Sequence, residues 1–270
     1  MVELFEGDIR TNDRQSSKGN QLKWENNGIW YKADYTGYEG LAEYVISHLL
    51  KKSTLLEKEY VLYDPEEIKY GTITYKGVRS ADFLKEGWQI ITLERLFNNF
   101  FNQSLYQSIY KIEKTGDRLA FLTGQVERIT GLKEFGRYLN KLLTIDAVFL
   151  NEDRHTHNIA VLMNGEGAFS YCPIFDQGAG LLSDTAMDYP LGEDIYKLMG
   201  HVRAKTVSSD FDEQLNASEL LYQENLKFWF TKKDVKELLE AADIYSEEIR
   251  DRAAEIIYFQ MRKYRYLFTG

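Results

Sequence analysis

A carboxylate and an amide stand five residues apart in Asn151-Glu152-Asp153-Arg154-His155-Thr156-His157-Asn158, and a second carboxylate returns in Phe175-Asp176-Gln177-Gly178. Side-chain oxygens such as those of Asn158 and Asp176 are hard ligands that suit Mg²⁺, a cation that keeps waters and binds through one or two carboxylates plus substrate phosphates. That donor set is the metal arrangement of a phosphoryl-transfer site. Asp153 and Asn158 on one loop can face the same pocket, and Gly178 and Gly180 permit a tight exit after Asp176.

The elements that must position these groups are legible around them. The stretch from Leu150 to Gly178 reads as helix end, polar loop, strand, turn at Gly165-Glu166-Gly167, strand, acidic residue and glycine. Upstream, Gln21–Trp24 and Ile29–Ala33 flank Asn27-Gly28, a hairpin signal because both turn residues tolerate positive φ. Leu41, Tyr44, Val45, His48 and Leu49 recur at helical steps, so Tyr38–Leu50 reads as an amphipathic helix carrying Glu39 and Glu43 one turn apart. Tyr60–Tyr63, Gly71–Tyr75 and Trp88–Leu93 read as further strands punctuated by Asp64-Pro65, Gly77 and Gly87. Beyond Glu94-Arg95-Leu96 the periodicity turns helical, over Leu105–Glu113, Leu132–Phe149, Lys232–Ala242 and Ser246–Leu267. The pattern predicts an α+β chain of two lobes: a small β-rich N-lobe over 1–97, and a larger, mainly α-helical C-lobe over 98–270 with its catalytic loop at 151–158 and its metal-binding loop at 175–178.

Composition narrows the setting. Thirty-three Lys and Arg against forty-two Asp and Glu give a net charge of −9, which repels a phosphate backbone and disfavours direct nucleic-acid binding. A single cysteine, Cys172, cannot form an internal disulfide and suits a reducing cytoplasm. No run approaches ~18 apolar residues, so no membrane span is expected. Fifteen Phe, nineteen Tyr and four Trp in 270 residues supply enough large side chains for a sizeable core.

Asp153-Arg154-His155-x-x-Asn158 followed by Phe175-Asp176-Gln177-Gly178 resembles the catalytic and metal-binding loops of HipA-like serine/threonine protein kinases, with catalytic-loop similarity to the phosphatidylinositol 3-/4-kinases. Gly19-Asn20-Gln21-Leu22-Lys23 and Tyr31-Lys32 are similar to the phosphate loop and ATP-contacting lysine of HipA-like proteins, Glu43 falls where the family's helix glutamate lies, and Ala204–Gln214 resembles a further segment of bacterial HipA-like domains. The likeness covers roughly residues 16–215. It implies a protein-kinase-like fold and an ATP- and Mg²⁺-dependent transfer to a Ser/Thr hydroxyl of a protein substrate. Asp153 would then orient or deprotonate the acceptor, Asn158 and Asp176 would hold the metal, and Lys32, paired with Glu43, would contact the phosphates. Gly19 and Asn20 would cradle those phosphates, with nucleotide held near Glu94 and Leu96 where the lobes join. Ser16 and Ser17 become candidate autophosphorylation sites, whose added charge would oppose ATP binding. A bacterial toxin–antitoxin or defence setting also follows, with an antitoxin or a companion chain supplying the N-terminal subdomain that precedes the core in full-length HipA-like toxins. The order Asp153-Arg154-His155 departs from the His-Arg-Asp of ordinary eukaryotic kinases.

Blander readings stand beside these. Lys32 next to Asp34 reads equally as a solvated edge lysine, and either Glu39 or Glu43 is a candidate partner for it. Trp24, Trp30 and Tyr31 read as hairpin packing rather than an adenine platform. Arg154 and His155 read as structural support of the loop, and a His155/His157/His201 zinc site has no recognised spacing. The segment Lys205–Ser209 reads as substrate-binding or as an exposed loop. A phosphatidylinositol or small-molecule kinase, and a nucleotide-binding pseudokinase that needs a partner, are the functional alternatives.

Overall fold

The computed structural model of the chain describes residues 1–10 and 21–269. In chain order its strands are β1 (Val2–Leu4), β2 (Lys23–Asn26), β3 (Ile29–Ala33), β4 (Asp64–Tyr70), β5 (Ile73–Ala81), β6 (Trp88–Thr92), β7 (Ala160–Asn164) and β8 (Phe169–Tyr171). The helices are α1 (Glu39–Leu50), α2 (Leu93–Phe101), α3 (Leu105–Tyr110), α4 (Thr115–Thr130), α5 (Phe135–Phe149), α6 (Ile195–Met199), α7 (Phe211–Tyr222), α8 (Lys232–Ala241) and α9 (Glu247–Lys263). They fall into two compact units, each discontinuous in sequence. The first gathers Met1–Phe83, Phe175–Val202 and Lys227–Gly270, and the second Leu84–Ile174 and Arg203–Leu226.

The first unit holds a five-stranded sheet in the order β1-β4-β5-β3-β2. Its β2–β3 hairpin turns at Asn27 (φ 53°) and Gly28 (φ 77°), the paired positive φ values that a two-residue turn matched to strand twist requires. Trp24 is fully buried and packs with Leu4, Tyr31, Ala33 and Ile68. The rings of Tyr70 and Tyr75 lie 5.5 and 6.3 Å from it, so the aromatic cluster is sheet packing. Tyr60–Tyr63 is not a strand; β4 instead begins at Asp64-Pro65, where the sequence suggests a break. Proline is tolerated there because β1 pairs only with Ile68–Tyr70, leaving the start of β4 with no strand on that side among the described residues. Helix α1 is buried on nearly every side rather than along one stripe, from Gly40 to Ser47 and again at Leu49 and Leu50. It packs on β4 and β5 and also against α8, which explains why its apolar positions exceed a single face.

The second unit contains the antiparallel sheet β6-β7-β8 and the helices α2 to α5 and α7. Thr115–Thr130, to which the apolar periodicity assigns no helix, forms α4 and buries Leu119, Leu122 and Val126. Helix α5 packs against α4 and α7, and a Cβ on Gly136 would collide with the ring of Tyr222. Among the described residues no helix is long and apolar enough to cross a membrane.

One close approach fixes the strand that carries Lys32. Gly77 on β5 pairs with Ala33 on β3, and a Cβ there would run into the Lys32 carbonyl oxygen. The obstacle is backbone and cannot rotate away, so Gly77→Ala is expected to cost about 2 kcal/mol or more through overpacking. A lowered urea midpoint with unchanged m-value would show it.

Candidate active site

Lys32 lies near the end of β3, with its side chain only 13% exposed. An ammonium so placed needs carboxylate partners to offset desolvation. Its Nζ donates to Glu43 Oε1 at 2.7 Å and to Asp176 Oδ1 at 2.8 Å. The Tyr63 ring lies under the same ammonium, 5.0 Å from its centroid. Burial by itself would lower the Lys32 pKa, but the charges of Asp176 and Glu43 outweigh it and hold Lys32 well above its ordinary value. Burial pushes Glu43 upward, opposed by Lys32. The second oxygen of Glu43 accepts the Gln177 N–H at 2.8 Å, fixing the backbone next to Asp176. Asp176 itself is left-handed, at φ 64°, which turns the chain sharply after Phe175.

The partner of Lys32 is therefore Glu43. The Glu39 carboxylate is engaged elsewhere. It accepts the Thr36 N–H and hydroxyl at 2.8 and 2.7 Å, and the Tyr35 and Gly37 N–H groups at 3.2 Å, so it closes the loop before α1.

In the second unit the Asn158 amide donates to the Asp153 backbone oxygen at 2.8 Å and to Asp153 Oδ2 at 2.9 Å. The two residues that the sequence pairs by spacing are thus in direct contact. With its NH₂ spent on Asp153, Asn158 keeps its amide oxygen as the end suited to a cation. His155 Nδ1 accepts the His157 N–H at 3.2 Å, which leaves Nε2 as the protonated nitrogen, 3.5 Å from Asp153 Oδ1. Burial lowers the His155 pKa, opposed by Asp153. His155 accordingly braces the loop backbone and borders the Asp153 carboxylate.

The loop rests on a buried ion pair. Arg154, 2% exposed, sets Nε 3.2 Å from Oδ2 of the fully buried Asp146 and donates from Nη1 to the Asn158 carbonyl at 3.1 Å. Burial raises the Asp146 pKa, opposed by the Arg154 charge. The Asn151 side chain also donates to Asp146, at 2.9 Å. The Thr206 hydroxyl donates to the Arg154 carbonyl at 2.5 Å. Thr206, Val207 and Ser208 are buried and only the flanking Lys205 and Ser209 face outward, so this segment chiefly supports the loop.

Glu94 also serves that loop. Its carboxylate accepts from the Leu105 and Tyr106 N–H groups at 3.0 Å each and from the Thr156 hydroxyl at 2.7 Å. Burial would raise its pKa, but donors including Ser104, Thr156 and Tyr106 hold it below the ordinary value. Leu96 is buried in α2. Ser16, Ser17, Gly19 and Asn20 lie outside the described residues.

Sequence reasoning misses Asp146 and the loop-bracing roles of Thr206 and Glu94. Asp146 does carry a signal: it is an acidic residue inside the apolar run Leu142-Leu143-Thr144-Ile145-Asp146-Ala147-Val148-Phe149, where a charge is kept only if paired. Among the described residues no three His, Cys, Asp or Glu side chains gather into a metal cage. Asp176 in the first unit and Asn158 in the second each carry an oxygen donor of the kind Mg²⁺ takes. Asp176 already holds a positive charge, the Lys32 ammonium, which fits a carboxylate seated to meet a cation.

No family model matches the sequence, and no curated protein matches it significantly. Among solved structures the chain is similar to the Helicobacter pylori proinflammatory kinase CtkA, with a TM-score of 0.66 and 14% identity over 97% of this chain and 95% of that one. The fold is thus the kinase-like α+β fold that the sequence suggests. A second neighbour is HipA of Shewanella oneidensis MR-1, solved with HipB and operator DNA, at 14% identity over 92% of this chain and 65% of that one; its TM-score of 0.46 is too low to define a shared fold.

Removing one member of the ion pair beneath the loop leaves the other buried and uncompensated. Asp146→Leu is expected to lower unfolding free energy by about 3 kcal/mol or more, and the double change with Arg154→Met to recover most of that loss. Urea unfolding of the two variants checks it, and full stability in the single variant would contradict the pairing.

Proposed function

We propose that this chain is an ATP- and Mg²⁺-dependent phosphotransferase of HipA-like type that acts on a Ser/Thr hydroxyl of a protein. The observation that carries the reading is the buried Lys32 ammonium held at 2.7 Å by a helix carboxylate and at 2.8 Å by the loop carboxylate Asp176. One carboxylate would already balance the charge of this buried ammonium; here two converge on it, the second from Asp176 at a left-handed position of its loop. The Asp153–Asn158 contact and the kinase-like fold support the same reading.

The chemistry asked of these residues is modest, because phosphoryl transfer is mainly positioning and charge neutralisation. Glu43 sets the position of Lys32, and Lys32 engages the nucleotide phosphates. Asp176 and Asn158 would hold Mg²⁺, which when bound would neutralise charge on the phosphates. Asp153 orients the acceptor hydroxyl and takes its proton as the hydroxyl oxygen bonds to the γ-phosphorus and the bond to the β,γ-bridging oxygen breaks, ADP leaving with that electron pair. Asn158 fixes the Asp153 carboxylate by its amide hydrogen bond. Autophosphorylation at Ser16 or Ser17, a companion chain and a bacterial toxin–antitoxin setting belong to this proposal through the sequence resemblance, as does a cytoplasmic location.

Incubation with γ-labelled ATP, Mg²⁺ and the proteins of a bacterial lysate, with phosphosites mapped by mass spectrometry, tests it. Labelled serine or threonine is expected with the wild type, and Asp153→Ala is expected to lose at least about 10³-fold in rate while binding nucleotide as before. Asp176→Ala is expected to remove the Mg²⁺ dependence of nucleotide binding in calorimetry. Nucleotide binding without any labelling of protein would overturn the protein-kinase reading, and Mg²⁺ dependence unchanged in Asp176→Ala would overturn the metal assignment.

A further inference from the structure

Two residues beyond Lys32, the chain leaves β3 at Asp34, and the carboxylate there does something its position in a loop does not require. Asp34 Oδ1 accepts the Gly40 N–H, in the first turn of α1, at 2.6 Å. The first N–H groups of a helix lack partners inside it, and the residue at the N-cap usually supplies one through its side chain. Here the N-cap is Tyr38, which makes no such bond. Asp34 supplies it instead from the end of the strand, tying α1 directly to β3. Its backbone N–H is in turn held by the Lys76 carbonyl on β5 at 2.8 Å.

A third element closes on the same point. Tyr245, in the turn between α8 and α9, is 2% exposed, and both its hydroxyl and Asp34 Oδ2 are buried without a hydrogen-bond partner of normal geometry among the described residues. A Cβ on Gly40 would stand 2.6 Å from the Tyr245 hydroxyl and 2.9 Å from Asp34 Oδ1. Glycine is a poor helix former, and its place in the first turn of α1 is explained by the room these two groups need.

The consequence falls on the site. Lys32 is two residues before Asp34, and Glu43 is three after Gly40, so the Asp34–Gly40 bond fixes the distance between the strand and the helix that present the ion pair. We propose that Asp34, seconded by Tyr245, is a positioning residue that docks the first turn of α1 on β3 and so sets the Lys32–Glu43–Asp176 geometry. Its kinetic part rests on the phosphotransferase reading.

The groups facing Asp34 are Glu39 on α1, Lys76 on β5 and Tyr245 before α9. Burial first, with Glu39 added, raises its carboxyl from 3.8 to about 7, while the Gly40 N–H, Tyr245 and Lys76 pull it down. Burial and the Asp34 carboxylate push the Tyr245 phenol well above its ordinary value, so this phenol stays a donor. Ionised Asp34 can hold both the Gly40 N–H and the Tyr245 hydroxyl. Neutral Asp34 carries no charge to draw in either donor. The folded carboxyl keeps its proton to higher pH than the unfolded one, so global stability falls as pH rises from about 4 to about 7 even as the local docking tightens.

The test uses the full-length wild type, Asp34→Asn and Tyr245→Phe. The first readout needs no activity: the Nζ resonance of Lys32 in lysine-labelled protein, followed from pH 5 to pH 9. It is expected to step near pH 7 in the wild type, at higher pH in Tyr245→Phe, and not at all in Asp34→Asn. The second is kcat/KM for ATP, in which Asp34→Asn should match the wild type below about pH 6 and fall roughly 3- to 10-fold short of it above about pH 8. A variant that only loosens the fold would lower both ends of that profile alike. A Lys32 resonance that titrates in Asp34→Asn as in the wild type, or pH profiles that superimpose, would overturn the proposal. Wild type that transfers no phosphate while the Lys32 resonance behaves as expected would uphold the positioning role and count against the phosphotransferase reading.

Discussion

An ammonium taken out of water is the constraint around which the first unit is organised. Lys32 is tolerable in its buried place only because Glu43 and Asp176 meet it within hydrogen-bonding distance. Those carboxylates come from a helix that begins six residues after β3 and from a loop 144 residues away in sequence. The strand, the helix and the loop each need backbone devices to reach the ammonium together. Gly77 lets β5 approach the Lys32 carbonyl, Gly40 leaves space for Asp34 and Tyr245, and Asp176 accepts a left-handed conformation.

The second unit solves the same problem with opposite signs. The carboxylate there is Asp146, fully buried on α5, and the ion that compensates it is Arg154 at the foot of the Asp153 loop. Around this pair the loop is pinned from several directions: by Thr206 at the Arg154 carbonyl, by Glu94 at Thr156 and by Asn158 at Asp153. A charge buried beneath a loop is costly when unmatched, and matching it confines the loop to one arrangement. Side chains that must meet a reacting group within a fraction of an ångström benefit from that rigidity.

A TM-score of 0.66 to CtkA over nearly the whole chain shows a shared fold, while fourteen per cent identity is too little to carry side-chain chemistry from one protein to the other. Apolar periodicity, turn residues and close glycine contacts suffice to build the scaffold. What the scaffold does must be argued from the groups on it, which is why the functional reading here is anchored on Lys32, Asp176, Asp153 and Asn158 rather than on the likeness.

Much of the architecture was legible in one dimension because its signals are local. Asn27-Gly28 demands a hairpin wherever it is flanked by strand formers, the apolar steps from Leu41 to Leu49 demand a helix, and Asp153 with Asn158 sits within reach on one loop whatever surrounds it. Local signals also misled: the apolar run Tyr60–Tyr63 resembles a strand, while the strand itself starts at Asp64-Pro65, since only the reach of β1 decides where a proline is harmless. Glu39 and Glu43 are equivalent in the sequence, one turn apart on one helix. The tertiary structure separates them, because Glu39 lies close enough to Thr36 to close its own loop and Glu43 points at Lys32. Asp146, Thr206, Glu94 and Asp34 acquire their roles only when distant segments meet. Sequence by itself determined which groups capable of chemistry this chain owns and on which kinds of element they ride. Which of them are buried, and therefore must pair, was decided by packing, since desolvation is a property of the folded surroundings and not of the residue.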